Sequence, residues 1–244
     1  MIYLVFCLVF VPYIVFAQSS IGVNIGLQNS LYFSTYSKVL DIPSCCEEYS
    51  NPVSNSISLG LFHTLLLNQK FGLLTSVQYS SLTASTTSKA SYPVLINNSV
   101  QNAEFLYTSV FRFNNLELTS GIQYSINDNF SFGSRIGVVM EFATNYTQKE
   151  EIVTTGVDYK NSNFESVSNK SIENSLFKPT IVLFTQYSKP ISKNISFISR
   201  LDVSTIFGDN SIPINKTSLH TRLLLGIEIP IDKFTNTSPL EPKE

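Results

Sequence analysis

The sequence predicts an all-β fold, an eight-stranded antiparallel transmembrane β-barrel with long extracellular loops, and three observations carry that prediction. Segments of period-2 alternation recur after residue 17, several of them longer than the usual five or six residues of a strand. The connections sort into short polar turns and long Ser/Thr/Asn-rich stretches, the two-sided asymmetry of an outer-membrane barrel. All four arginines, Arg112, Arg135, Arg200 and Arg222, fall on the non-apolar face of such segments, while the twelve lysines read as lying in the connections. A planar, always-charged guanidinium suits a closed space where it can be paired with carboxylates. The lumen of a narrow barrel is such a space.

Residues 1–17, MIYLVFCLVFVPYIVFA, read as a secretory signal peptide with a small-residue site at Val15-Phe16-Ala17. The apolar run is short for a membrane helix of about 20 residues and is broken by Pro12. Residues 18–231 are expected to form one barrel domain, and 232–244 a short periplasmic tail. No 18-residue apolar run follows residue 17, which excludes a helical membrane protein. A net charge of −2 argues against nucleic acid as a partner.

The first mature strand alternates cleanly. Ile21, Val23, Ile25, Leu27, Leu31 and Phe33 fall on one face, with Gly22, Asn24, Gly26 and Gln28 on the other. Ile57, Leu59, Leu61 and Leu65 mark a second strand, and Phe71, Leu73, Val77 and Tyr79 a third. Phe105 to Phe113 begin a fourth on odd positions, but Leu116, Leu118, Ile122 and Tyr124 continue on even ones. One extra residue in a strand produces such a flip, so a β-bulge is expected at Asn114–Asn115 within a single strand, Ala103–Ser125. Phe130 to Phe142 give the fifth strand and the residues around Ile181, Leu183 and Tyr187 the sixth, where Val182 and Phe184 blur the alternation. Ile195 to Val203 and Leu219 to Ile231 give the last two. Asn68–Lys70, Ile126–Asn129 and Lys189–Asn194 read as short turns. Thr35–Asn55, Leu82–Asn102, Thr147–Lys178 and Gly208–Lys216 read as long loops.

A sheet in lipid must close on itself to satisfy its backbone, and an eight-stranded barrel has an interior that side chains just fill. With the apolar face outward, Glu104, Arg112, Glu117, Arg135, Glu141, Arg200, Asp202, Arg222 and Glu228 form an inward charge network. Similar heights on adjacent strands predict the ion pairs Asp202–Arg222 and Glu117–Arg135. Phe71, Tyr124, Phe130, Phe132, Tyr187 and Phe197 lie on the apolar face near the short turns, as an interfacial girdle would. Cys45 and Cys46, adjacent in the first long loop, could form a vicinal disulfide in an oxidising compartment. With no His or further Cys at ligand spacing, no metal site is expected there.

The final strand, Leu224 to Ile231, resembles the assembly signal of outer-membrane barrels at Gly226, Ile229 and Ile231, which implies the barrel assembly machinery as a partner. From Ser20 to Ile231 the chain resembles outer-membrane β-barrel domains of the Bacteroidota and Chlorobi type. These are PorT-like in broad terms and related in architecture to OmpA transmembrane domains. The local matches are Ile42-Pro43-Ser44-Cys45-Cys46 and the Ser218–Ile227 strand. The resemblance implies an eight-stranded barrel in the outer membrane of a Gram-negative cell and supplies no catalytic residues.

The expected function is therefore that of a non-enzymatic outer-membrane barrel with a packed, charge-bridged lumen, in a structural or narrow, porin-like conduit role. Outer-membrane lipid is its medium, and no cofactor is expected. One alternative is a surface binding or adhesion protein acting through its loops on an unspecified extracellular ligand. Another is a secreted soluble β-barrel binding a small ligand, lipocalin-like, with its apolar residues inside. A third is a rim enzyme using His220, with Ser218 and Asp209 close in sequence, although no nucleophile, base and orienter stand at a recognisable spacing.

Overall fold

The computed structural model describes residues 19–33, 38–39, 42–43, 53–96, 99–153, 170–171, 177–208 and 217–231. Residues 1–17, expected to be a leader, Cys45–Cys46, and residues 232–244, expected to be a tail, lie outside them. Eight long strands form a ring: β1 (Ser19–Tyr32), β2 (Val53–Leu66), β3 (Phe71–Ile96), β4 (Ser99–Ser125), β5 (Phe130–Ile152), β6 (Lys178–Ser192), β7 (Ile195–Ile206) and β8 (Ser218–Pro230). Each pairs antiparallel with the next, and β1 closes the ring against β8, from Ser20↔Pro230 to Tyr32↔Ser218. A two-residue piece, Lys170–Ser171, adds to β5 at Asn145–Tyr146.

Two of the short turns share one device. Asn68 Oδ1 accepts from the amides of Lys70 and Phe71 at 2.9 and 2.8 Å. Asn127 Oδ1 accepts from those of Asn129 and Phe130 at 2.9 and 2.8 Å. An Asn side chain standing in for backbone in this way fixes a tight turn and sets the register of the strand that follows. Aromatic residues flank these turns on the outer face: Phe71 packs on Tyr124 at 5.1 Å, Tyr124 on Phe132 at 5.5 Å, and Phe130 on Tyr187 at 5.0 Å.

Strands β3 and β4 rise far above the rest. The expected loop Leu82–Asn102 is a correction: β3 continues to Ile96 and β4 begins at Ser99, paired throughout from Phe71↔Tyr124 to Ile96↔Ser99. Among the described residues, β5 accompanies them as far as Ile152, with the two-residue piece Lys170–Ser171 on its other edge. The bulge is also displaced. The register slips between Arg112 and Asn114 of β4 and their partners Asn145 and Phe142, so the extra residue belongs to β5, opposite Phe113.

The parity flip in β4 has a different cause, because the same parity stays buried across it. Phe105, Tyr107, Phe111 and Phe113 are buried, and so are Asn115, Glu117 and Thr119. What changes is which chemistry is buried. Below Asn114 the interior is polar and the exposed face apolar. Above it the buried face is apolar, and Arg112 and Glu104 are exposed. β3 changes at the same level. Its exposed positions run Phe71, Leu73, Val77 and Tyr79, then Ser81, Thr83, Ser85 and Thr87. Its buried positions pass from Ser76, Gln78 and Ser80 to Leu82 and Ala84.

Candidate functional site

The lower part of the barrel is a protein turned inside out. Ile25, Leu27, Ile57, Leu59, Ile136 and Leu183 are all half or more exposed on its outer wall. A closed ring with such a wall and a polar lumen is a transmembrane barrel, because lipid is the medium in which the wall needs no cover. The apolar wall lies between the lower aromatics and an upper pair, Tyr79 and Phe142, 6.4 Å apart. From Phe71 to Tyr79 at ~3.4 Å per residue and a tilt of ~40°, the wall is roughly 20 Å high, near the 25 Å or so of known barrels.

The lumen is filled in layers. At the short-turn mouth a cavity of about 540 Å³ is lined by Ser20, Thr64, Gln123, Ser131, Gln186 and Glu228 among others, and Ser20 donates to Glu228. Phe62, Leu74, Phe184 and Ile198 form a buried apolar cluster. Val182 and Phe184, which blur the alternation of β6, are buried in the lumen because the barrel uses apolar filling there.

Around this cluster lies the charged layer. Arg135 donates to Asp202 at 2.6 Å and to Thr119 at 3.2 Å, and also to Ser76. Arg222 donates to Glu117, and to Ser204 at 3.2 Å. Arg200 Nε lies 3.1 Å from Asp202 Oδ1 with its guanidinium over the Phe62 ring at 5.3 Å, while Arg135 sits over Phe184 at 5.2 Å. Arg135, Arg200 and Asp202 are each 1% exposed. The pairing differs from expectation. Asp202 and Arg222 do face each other across β7 and β8, but each bonds across the lumen, giving Arg135–Asp202 and Arg222–Glu117. The barrel is narrow enough for long guanidiniums to span it, and that proximity is not visible in neighbouring-strand heights.

Above this layer Lys178 pairs with Glu141, both nearly buried. Lysine is therefore not confined to the connections: Lys178 fills the lumen, and Lys89, Lys149 and Lys189 also lie in strands. Beside that pair His220 is held on both ring nitrogens, Nδ1 by Ser30 at 2.6 Å and Gln28 at 2.9 Å, and Nε2 by Ser218 at 2.6 Å. The gap among His220, Ser218, Glu141, Lys178 and Tyr32 is about 10 Å³, roughly one water. Asp209 lies outside the described residues.

Glu104 and Arg112 do not join the network. They point outward because the apolar residues between them form a core above the membrane. That core comprises Tyr32, Leu82, Ala84, Ala103, Phe105, Tyr107, Phe111 and Phe113, with Ala90, Tyr92 and Val94 packed against it. Arg112→Ala is accordingly expected to change stability by no more than about 0.5 kcal/mol in urea unfolding. Arg135→Ala, which takes the 2.6 Å partner from buried Asp202, would cost several times that.

No family model and no curated protein matches the chain. Three solved structures are among those similar to it. The attachment invasion locus protein Ail of Yersinia pestis, in complex with the heparin analogue sucrose octasulfate, is 12% identical with a TM-score of 0.38, over 88% of this chain and 99% of that one. OprG of Pseudomonas aeruginosa is 11% identical with a TM-score of 0.41, over 88% and 97%. Neisserial surface protein A is 11% identical with a TM-score of 0.35, over 86% and 96%.

Proposed function

We propose that this chain is a non-enzymatic outer-membrane β-barrel whose lumen is a stabilising plug and whose work is surface binding. That work falls to the blade formed by β3, β4 and β5 beyond Tyr79, Asn114 and the bulge. The observation that carries the reading is the exchange of face polarity at Ser81 and Asn114–Asn115. A barrel serving only as a conduit has no use for strands that continue about 50 Å past the lipid at ~3.4 Å per residue. Nor does it need a second apolar core there. The lumen argues the same way, because the apolar cluster and the paired charges fill its cross-section.

The outer face of the blade is a ladder of hydroxyls, Thr83, Ser85 and Thr87, beside Arg112 and Thr108 on β4. It is largely polar, with half-buried Val110 opposite Ser85 and Leu106 opposite Lys89, a surface suited mainly to hydrogen-bonded ligands. The barrel's expected partners are outer-membrane lipid and the barrel assembly machinery, the latter through Gly226, Ile229 and Ile231. Kinship with PorT-like barrels of the Bacteroidota and Chlorobi type rests on Ser218–Ile227 and Ile42–Cys46. A lipocalin-like soluble barrel would need the opposite faces.

Two measurements test this. In planar bilayers the purified barrel is expected to show no unitary conductance steps. On intact cells a membrane-impermeant amine reagent should label Lys89, while Lys70 and Lys189 should react only after permeabilisation. Steady channel openings, or equal labelling of all three lysines on intact cells, would contradict the proposal.

A further inference from the structure

The middle of the lipid-facing wall carries a contiguous row of hydrogen-bonding side chains that neither the lumen nor the blade uses. His63 of β2, Thr75 of β3 and Ser120 of β4 are register partners on adjacent strands, and all three face outward. Thr75 Oγ1 and Ser120 Oγ lie 3.0 Å apart, while His63 makes no hydrogen bond to another described residue. The rows on either side are apolar: Leu61, Val77 and Leu118 toward the blade, and Leu65, Leu73 and Ile122 toward the short turns. Ser134, Thr185 and Ser199 also face outward, but each stands between apolar or aromatic register partners.

The tilt of the strands fixes the depth of this row. Followed from strand to strand around the ring, the register row that leaves β1 at Asn29 returns to it at Ser19, ten residues nearer the short turns. From β2 to β4 a row therefore climbs by roughly 1.25 residues per strand, about 3 Å at ~3.4 Å per residue and a tilt of ~40°. Thr75 lies midway between Phe71 and Tyr79, about 10 Å from either edge of the wall on the same measure. His63 is then about 3 Å below it and Ser120 about 3 Å above. The whole row lies in hydrocarbon, which offers neither donor nor acceptor. Ionisable side chains at such depth are found paired with protein groups.

We propose that this part of the wall is the interface with a second copy of the chain, with His63 of each copy bonded to Thr75 of the other. The interface rests on the outer-membrane reading above. A two-fold axis along the membrane normal leaves every depth unchanged. Placed between β2 and β3, it sets His63 against the partner's Thr75, about 3 Å higher and within reach of an imidazole, and the contact repeats in reverse. The row complements itself, since a threonine hydroxyl that donates to Ser120 still accepts from a ring N–H. Leu61 and Leu65 then pack on the partner's Val77 and the partner's Leu73. No Asp, Glu, Lys or Arg stands in the three rows to oppose an identical wall.

Sedimentation equilibrium of the folded barrel in density-matched phosphocholine micelles is expected to resolve a monomer–dimer equilibrium. Its dissociation constant should rise at least tenfold in His63→Leu and in Thr75→Val, whose two reciprocal bonds are worth about 1–2 kcal/mol together, and stay within about twofold in Ser199→Leu. All three variants should keep the heat-modifiable gel shift. With Cys45 and Cys46 replaced by serine, Leu61→Cys barrels mixed with Val77→Cys barrels in phosphatidylcholine vesicles should form mixed disulfide dimers on mild oxidation. Leu183→Cys mixed with Leu201→Cys, both exposed on the opposite wall, should not. A barrel that sediments as a monomer throughout would overturn the interface. So would an unchanged constant in His63→Leu, or equal cross-linking at the two walls. Reaction of Leu61→Cys in vesicles with a water-soluble maleimide would instead overturn the membrane reading.

Discussion

Asp202→Leu is expected to destabilise the folded barrel by about 3–5 kcal/mol, because it leaves buried guanidinium charge without its partner. Asp202 bonds Arg135 at 2.6 Å and lies 3.1 Å from Arg200. In this layer three guanidiniums, Arg135, Arg200 and Arg222, meet two carboxylates, Asp202 and Glu117. Loss of Asp202 raises the imbalance. Loss of Arg200 removes it, and none of the Arg200 nitrogens makes a hydrogen bond of good geometry. Arg200→Met is therefore expected to be near neutral, since replacing a buried ion by a well-packed apolar group of similar size often is. Reversible urea unfolding in short-chain lipid vesicles measures both. Equal losses for the two variants would show that the layer is not organised around Asp202.

Gly137→Val is expected to be as damaging by a different route, costing at least the 1–3 kcal/mol or so typical of overpacking and preventing the heat-modifiable form. A Cβ at Gly137 would run into Leu118 O on β4 and stand 2.7 Å from Thr119 Cα. A Cβ at Gly121 would run into Ser134 O on β5, so the seam between these strands is closed from both sides. Backbone cannot swing aside as a side chain does, and a glycine at such a point marks where two backbones approach closely. Ser134→Val, on the exposed face of the same strand, is the control and should fold normally. A Gly137→Val protein with the gel shift and urea midpoint of the native chain would contradict the tight seam.

The strands were legible where each residue's two possible sides differ strongly in chemistry. β1, with Ile21 to Leu31 against Gly22 to Ser30, is such a case, and so are β2, β7 and β8. The upper part of β3 was not. From Leu82 to Ile96 its exposed positions are mainly Ser and Thr while its buried ones include Ala, Ser and Thr, so the contrast nearly vanishes and the stretch resembles a loop. In β4 the contrast is strong but changes sign at Asn114. Alternation alone cannot separate an inserted residue from a change of solvent, because both move the apolar set to the other parity. The bulge in β5, opposite Phe113, carried no such mark. Burial of Glu117, Arg135, Arg200, Asp202 and Arg222 in one lumen layer followed from strand parity. Their partners did not, since cross-lumen contacts depend on barrel diameter and shear. Lys178 lies at the end of a stretch, Thr147–Lys178, whose composition reads as a loop. Its signal was present in the alternation Lys178, Thr180, Val182, Phe184, which continues the inward face of β6.

β3 and β4 leave lipid and enter water at Ser81 and Asn114, where their exposed faces turn from apolar to polar. Single cysteines at the exposed positions Val77, Tyr79, Ser81, Thr83 and Thr87, with Cys45 and Cys46 replaced by serine, can carry a spin label whose collisions with oxygen and with a water-soluble nickel chelate report depth. Oxygen is expected to dominate at Val77 and Tyr79 and the chelate at Thr83 and Thr87, with the crossover at Ser81. Oxygen dominance persisting through Thr87, or chelate dominance already at Val77, would contradict it.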